Sequence, residues 1–326
     1  MVKTYKIKMS LTGRATQLPD SQKIFGALIY KYSEQYSPEH ASRLVSNILK
    51  EEICFAVSNL LPEGYLPCPR QFLLDKLASE EKSEKKRESN LPGKKIYKEI
   101  KKRNFIVQED LYKMLANPEN VLDSYPYVFV ESSQQIHAAL DAGRYNLPGL
   151  PPNVYSVPEI NITEAGADRC ERMSINEFSF YLAVDDGAEH DELIAVLESA
   201  RKHNQLFFLG ARASQGLNTY IIKEVELLPN FIADETIVFL NLGMLLPQQI
   251  DYEHSTLQLY TSERRPYYLA EGWDKGINGR FISYIEAGSI IRADKGWRTA
   301  GRSIQSPFQP RDIVFGKAFM LPLNRF

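Results

Sequence analysis

The sequence predicts an α+β fold in which a ferredoxin-like first domain, residues 1–228, precedes a degenerate, strand-rich second domain, residues 229–326. Three observations carry that prediction. Alternating and 3.6-residue apolar patterns follow one another as β-α-β and again as β-α-β through the first part, the order of a ferredoxin-like unit. Beyond Pro229 amphipathic helix patterns cease and only short apolar runs remain. A Gly-rich loop at 210–218 separates the last amphipathic helix of the first part from its final strand.

Tyr5, Ile7 and Met9 alternate with Lys6 and Lys8, which specifies a strand with one buried face. A loop from Leu11 to Pro19 carries Gly13 and Arg14. Asp20 or Ser21 can cap a helix whose apolar positions are Ile24, Phe25, Leu28, Ile29 and Tyr32. Gly26, early in that helix, marks either close packing or a nearby ligand backbone. A helical piece at Ala41–Lys50 leads into an apolar strand within Ile53–Leu61. From Pro62 the pattern loosens, and 62–130 reads as an insertion. Within it, Ala78–Arg103 mixes Lys with Glu and is expected to be a solvated segment rather than a nucleic-acid tail.

Ser132–Ile162 is expected to form a protruding hairpin. His137, Asp141, Arg144 and Tyr145 lie on one side of the breakers Pro148, Gly149, Pro151 and Pro152, and Tyr155 lies beyond them. Phe178, Phe180, Leu182 and Val184 define the next strand, and Asp185 and Asp186 precede a helix with Leu193, Val196, Leu197 and Ala200 on one face. Tyr220–Leu228 closes the first domain. Short strands are expected over Ile237–Leu242, Thr256–Thr261, Phe281–Ile285 and Ile313–Phe319.

Composition excludes more than it selects. With 326 residues, 44% hydrophobic and 25% charged, the chain is globular in type, and a net charge of −2 leaves room only for a local basic surface. Cys54, Cys68 and Cys170 have no paired spacing, so neither a disulfide framework nor a zinc site is indicated, and no metal or other cofactor is called for. The start lacks the apolar core of a signal peptide and no run is long enough to span a membrane, so a cytoplasmic protein is expected. There is no P-loop, and His40, His137, His190, His203 and His254 are scattered, so no catalytic group is assigned.

The candidate site is the loop itself, Gly210-Ala211-Arg212-Ala213-Ser214-Gln215-Gly216-Leu217-Asn218. Glycines permit positive φ and leave backbone N–H groups open to an anion. Arg212 adds a fork of donors suited to phosphate, and Ser214 adds a hydroxyl. By itself such a loop is more often an ordinary turn with a solvated Arg; its context has to decide. Ser21 and Lys23, at the start of the first helix, are further candidates because free N–H groups and the helix dipole favour an anion there.

That context resembles the RAMP superfamily of CRISPR proteins. Asp20-Ser21-Gln22-Lys23-Ile24-Phe25-Gly26-Ala27-Leu28 is similar to its Ser-Asp-Thr-Leu-Phe-Gly-Ala-Leu segment, and Leu60-Leu61-Pro62 with Tyr65-Leu66-Pro67-Cys68-Pro69 to its proline-punctuated second strand. Gly210 to Asn218 resembles Gly-x-Arg-x-Ser-x-Gly-x-Gly, with Asn218 at the last glycine, and Glu286-Ala287-Gly288-Ser289-Ile290 resembles its C-terminal Glu-Gly-Ser segment. Within the superfamily the features look most like the Cas-Five-type subunit of type III-A (Csm) effector complexes. The hairpin frame His137-Ala138-Ala139-Leu140-Asp141-Ala142 lacks the family's arginines.

The resemblance implies tandem ferredoxin-like (RRM-like) domains and a non-catalytic, RNA-binding role in antiviral defence, capping the crRNA 5′ handle within a ribonucleoprotein. It implies three partners: the crRNA, a large Cas-Ten-type polymerase subunit, and backbone RAMP subunits. It points to Gly210, Arg212, Ser214, Gly216, Asn218, Arg14, Ser21, Lys23, His137, Arg144, Tyr145 and Tyr155 as RNA-binding residues. The equivalent type III-B (Cmr) subunit and a crRNA-processing endoribonuclease are the alternatives. The second would need a general acid–base in its first loop or helix, and Leu11–Lys31 contains no His.

Overall fold

Strand β1 (Val2–Leu11) buries Tyr5, Ile7 and Met9 on one face, as the alternation requires. The computed structural model describes residues 1–83, 91–139, 153–167, 172–229, 236–263, 281–307 and 312–323. Helix α1 (Ser21–Gln35) starts at Asp20, whose carboxylate accepts the Lys23 N–H at 3.0 Å, and buries Ile24, Phe25, Leu28 and Tyr32. Helix α2 (Pro38–Leu49) follows a Ser37 cap, with Pro38 in the first turn where its missing N–H costs nothing. The apolar run beyond it is divided between β2 (Phe55–Val57) and β3 (Leu61–Pro62).

The stretch after Pro62 is more ordered than its sequence suggests. Strand β4 (Tyr65–Pro67), helices α3 (Arg70–Ser83) and α4 (Leu91–Lys102), strand β5 (Phe105–Val107) and helix α5 (Gln108–Ala116) lead to two long strands, β6 (Tyr127–Ala139) and β7 (Asn153–Ala165), and then to β8 (Arg172–Ser174). Strands β4 to β8 form one five-stranded sheet in sequence order. The expectation that Ala78–Arg103 is simply solvated is therefore corrected for its described part. Ile96 and Ile100, one helical turn apart among lysines, are buried, and so is Arg103. The Arg103 guanidinium lies 4.1 Å from the centroid of the Tyr127 ring and donates to the Glu99 carboxylate at 2.7 Å, which meets the demand that a buried charge be paired.

The expected hairpin at 132–162 belongs to a longer ribbon. β6 and β7 pair without interruption from Tyr127↔Ala165 to Ala139↔Asn153. Tyr127, Val128 and Phe129 are buried at its base, and further along Val157 is still buried while Ile136, in the next register pair, is 78% exposed. The breakers at its turn lie outside the described residues.

Strand β9 (Glu177–Asp185), helix α6 (Ala188–Lys202) and strands β10 (Leu206–Phe208) and β11 (Thr219–Leu227) complete the first sheet, ordered β10-β11-β1-β9-β2 with β3 also on β9. All these pairings are antiparallel. Apart from the short edge strand β10, the order is fourth-first-third-second. α1 and α6 lie against each other, with Phe25 edge-on to Phe55 of β2 and His190 beside Tyr5 of β1.

The remaining strands are β12 (Val238–Asn241), β13 (Asp251–Thr256), β14 (Leu259–Glu263), β15 (Phe281–Ile285), β16 (Ile290–Arg292), β17 (Ile304–Gln305), β18 (Ile313–Val314) and β19 (Met320–Pro322). Four of them pair antiparallel as β13-β16-β12-β19, the same relative order as in the first sheet. Among the described residues here, the helical turns reduce to one 3₁₀ turn, Trp297–Thr299. Two expected strands are corrected. Thr256–Thr261 is divided between β13 and β14, and Ile313–Phe319 is strand only at β18.

The rest of that run fastens the two sheets together. Val57 N–H donates to Lys317 O at 3.2 Å and Phe319 N–H to Val57 O at 3.0 Å, while Phe315 stacks on Phe25 with ring centroids 4.2 Å apart. One buried apolar cluster accordingly contains both Tyr5 and Phe319. Among the described residues no helix is long and apolar enough to cross a membrane.

Candidate functional site

The Gly-rich loop is the turn between β10 and β11, wound around a 3₁₀ turn at Ala213–Gln215. The chain takes left-handed backbone at Arg212 (φ 65°), Gly216 (φ 74°) and Asn218 (φ 55°). Asn is among the few residues with a side chain that tolerate this conformation, and here the side chain also holds the loop. The fully buried Asn218 amide accepts the Thr16 N–H at 2.8 Å and donates to Thr16 Oγ1 at 2.9 Å and to Ala211 O at 2.8 Å.

The first loop packs directly on this one. Asn218 N–H donates to Arg14 O at 2.8 Å, and Thr12 N–H to Thr219 O at 2.9 Å. A Cβ on Gly13 would stand 2.3 Å from Gly216 O, and one on Gly210 would stand 2.8 Å from the Asn218 amide. Both positions are therefore restricted to glycine by contact. On its other side the first loop is tied to β7, where Ile160 N–H donates to Ala15 O at 2.9 Å. The two loops and the base of the ribbon thus form one hydrogen-bonded surface.

Arg212, Ser214, Gln215 and Gly216 are exposed on that surface, and the Arg212 guanidinium reaches Gln215 Oε1 at 3.4 Å. The surrounding cations are preset by acidic neighbours. Arg14 donates to the buried Glu159 carboxylate at 3.0 Å, Lys23 pairs with Asp20, and Lys31 pairs with Glu34 at 2.7 Å. A cavity of about 600 Å³ lies between α1 and the loop, lined in part by Lys23, Tyr30, Lys31, Phe207, Phe208 and Gly210. The hydrogen bond from Tyr30 to Glu34 raises the pKa of its phenol, keeping it a neutral donor. A second cavity, about 450 Å³, opens between Thr16–Asp20, Arg70, Ser132 and Glu286. Burial raises the pKa of the Glu286 carboxyl, with Arg70 opposing.

The predicted residues separate into groups. Gly210, Arg212, Ser214, Gly216, Asn218 and Arg14 come together, and Lys23 faces the adjoining cavity. Asn218 is buried, so it shapes the loop and presents no side chain outward. Ser21 is corrected: its N–H donates to Asn59 Oδ1 at 2.8 Å, and its hydroxyl accepts the Met244 N–H at 3.0 Å. With no exposed surface, Ser21 joins the two sheets instead of meeting a ligand. His137 and Tyr155 are cross-strand partners on the ribbon, while Arg144 and Tyr145 lie outside the described residues.

Gly288 of the Glu-Ala-Gly-Ser segment has φ 92°, and a Cβ there would stand 2.9 Å from Cys68 O, so this segment is a packing turn. Tyr30, Lys31 and Phe208 escaped the sequence reading. The Phe207-Phe208 pair held a usable signal, because adjacent strand residues point oppositely and one ring had to face outward. Among the described residues Asp186, His190 and Asp191 approach one another as metal ligands would. They are engaged internally, His190 Nε2 with the Tyr5 hydroxyl at 2.8 Å, His190 Nδ1 with Asp191 at 2.8 Å, and Asp186 with Lys3 at 2.7 Å.

No family model matches the chain, and no curated protein matches it. Solved structures do. A chain of the crystal structure of the Csm3–Csm4 subcomplex in the type III-A CRISPR-Cas interference complex aligns with a TM-score of 0.56 and 17% identity, over 99% of this chain and 99% of that one. A chain of the Csm1–Csm4 cassette in complex with cA4 aligns at 0.49 and 17%, over 98% and 97%. A chain of the type III-B Cmr-beta complex bound to cognate target RNA and AMPPnP aligns at 0.38 and 12%, over 90% and 86%. At these identities the likeness to the first is one of fold.

Proposed function

We propose that the chain is a non-catalytic RNA-binding subunit of a type III CRISPR effector complex, most similar in role to the Cas-Five-type subunit of type III-A, which caps the crRNA 5′ handle. In this reading residues 1–228 and 229–326 are tandem ferredoxin-like units, the second stripped of its helices. A large Cas-Ten-type subunit and backbone RAMP subunits are its protein partners. The observation that carries the proposal is the loop at 210–218. Its left-handed turns are pinned from beneath by Asn218 and by the first loop, so that Arg212, Ser214 and Gly216 stay exposed together. The N–H groups of Gln215, Gly216, Leu217 and Asn218 are donated within the fold, so what the turn offers a phosphodiester is the exposed Arg212 guanidinium and the Ser214 hydroxyl. The fold shared with a chain of the Csm3–Csm4 subcomplex over nearly the full length supports it.

The test is a salt titration of RNA binding by Arg212→Ala. Arg212 is exposed, so its contact with phosphate falls below the range of desolvated charge-assisted bonds, at about 0.2–1 kcal/mol. Losing one phosphate contact to a single strand should flatten the slope of log K against log[salt] by about 0.7. The loss should be the same for every RNA sequence, because phosphate carries no sequence information. A variant that folds and shows unchanged affinity and slope removes the proposal.

A further inference from the structure

The cavity between α1 and the loop has features that phosphate cradling does not need. Tyr30 is 60% exposed and Phe208 48% exposed, and both rings line the same cavity. Its volume, about 600 Å³, is in the range of small-ligand sites, about 300–1,000 Å³. Lys23 and Lys31 are also in its wall, and the Lys31 ammonium lies 6.0 Å from the Tyr30 and Phe207 ring centroids.

Gly26 adds an independent observation. It lies in the interior of α1, where glycine is less stable than alanine. The usual reasons for a helical glycine are absent: its φ is not positive, and a Cβ would meet nothing within 4 Å. The residue is exposed and forms part of the cavity wall. Helix stability is thus given up at a point on the wall of this cavity, where any side chain would take up room inside it.

We infer that this cavity receives an unstacked nucleobase of single-stranded RNA, held by the Tyr30 and Phe208 rings while the adjoining phosphate lies on the 210–218 loop. The inference rests on the RNA-binding reading above and adds a base subsite to it. Aromatic faces bind bases of any identity, purines best because they stack most strongly. Lys23 and Lys31 are paired with Asp20 and Glu34, so the phosphate of the same nucleotide is held by the adjoining loop, and the cavity itself receives the base.

The experiment compares an oligoadenylate decamer with an abasic decamer of the same ribose-phosphate chain. The parent protein should bind the oligoadenylate about 5- to 150-fold more tightly, the contribution of one stacked base. Phe208→Leu and Tyr30→Leu keep apolar bulk at exposed positions, so folding is retained; each should narrow that gap and leave abasic affinity unchanged. Gly26→Leu should narrow it too, with thermal stability equal to or above the parent's. Arg212→Ala should weaken both ligands by the same factor. A gap that survives both aromatic substitutions and Gly26→Leu overturns the base subsite while leaving phosphate binding intact. Failure of the parent to bind either decamer overturns both.

Discussion

Replacing Asn218 with Ala should destabilise the protein by roughly 3–5 kcal/mol, a large effect for a residue in a surface loop. The side chain makes hydrogen bonds to Thr16 N–H, Thr16 Oγ1 and Ala211 O at 2.8–2.9 Å, and Asn218 is fully buried. Each such bond contributes a net of about 0.5–1.5 kcal/mol, and the Thr16 N–H left behind is half-buried, within reach of water. Left-handed backbone at φ 55° adds about 1 kcal/mol for alanine, which glycine would not incur. Asn218→Gly should therefore lie about 1 kcal/mol above Asn218→Ala and still well below the parent. The backbone cannot easily relax, because Leu209 N–H donates to Asn218 O at 2.9 Å and Asn218 N–H to Arg14 O at 2.8 Å. Urea unfolding at 25 °C, read as a shift in midpoint at constant m, measures all three proteins. If alanine falls within about 0.5 kcal/mol of the parent, or glycine equals alanine, Asn218 does not hold this loop as argued.

Ser21→Ala should cost about 1–3 kcal/mol, because the buried Met244 N–H loses its acceptor, while RNA affinity stays at the parent value; a selective loss of RNA affinity would return Ser21 to the binding surface. Glu286 gives a pH signature. Burial raises its folded-state pKa above the ordinary 4.5, so its contribution to stability is fully present below that value and is lost as pH rises through the raised pKa. Glu286→Gln should thus be more stable than the parent at neutral pH, with the difference closing as pH falls towards 4.5. A difference independent of pH across that interval would refute the assignment.

Where a rule acts between neighbours in sequence, the chain declared itself. The alternation of Tyr5, Ile7 and Met9, the spacing of Leu193, Val196 and Leu197, and Gly216 of the loop each specify local backbone or one buried face, and the structure has them so. The loop was legible for the same reason, since positive φ is a local demand. The strands beyond Pro229 were partly legible, because runs of a few apolar residues fit either a strand or a packing segment. Ile313–Phe319 illustrates this: only Ile313–Val314 pairs as a strand there, and the rest runs along β2.

What only tertiary structure decided are meetings between residues far apart in sequence. Ser21 has the signature of an anion-binding helix start, yet Met244 occupies its hydroxyl. Ile96, Ile100 and Arg103 sit in a stretch whose average polarity says solvent, yet all three are buried, Arg103 with its guanidinium against the Tyr125 and Tyr127 rings. Asn218 reads as a tolerated substitute for glycine and proves to be the bolt between two loops, because Thr16 lies within 3 Å of its amide. Tyr30 and Phe208, 178 positions apart, face one cavity only once α1 has packed beside β10. Burial, charge pairing and hydrogen-bond satisfaction depend on what surrounds a group in space, and composition along the chain carries no record of that.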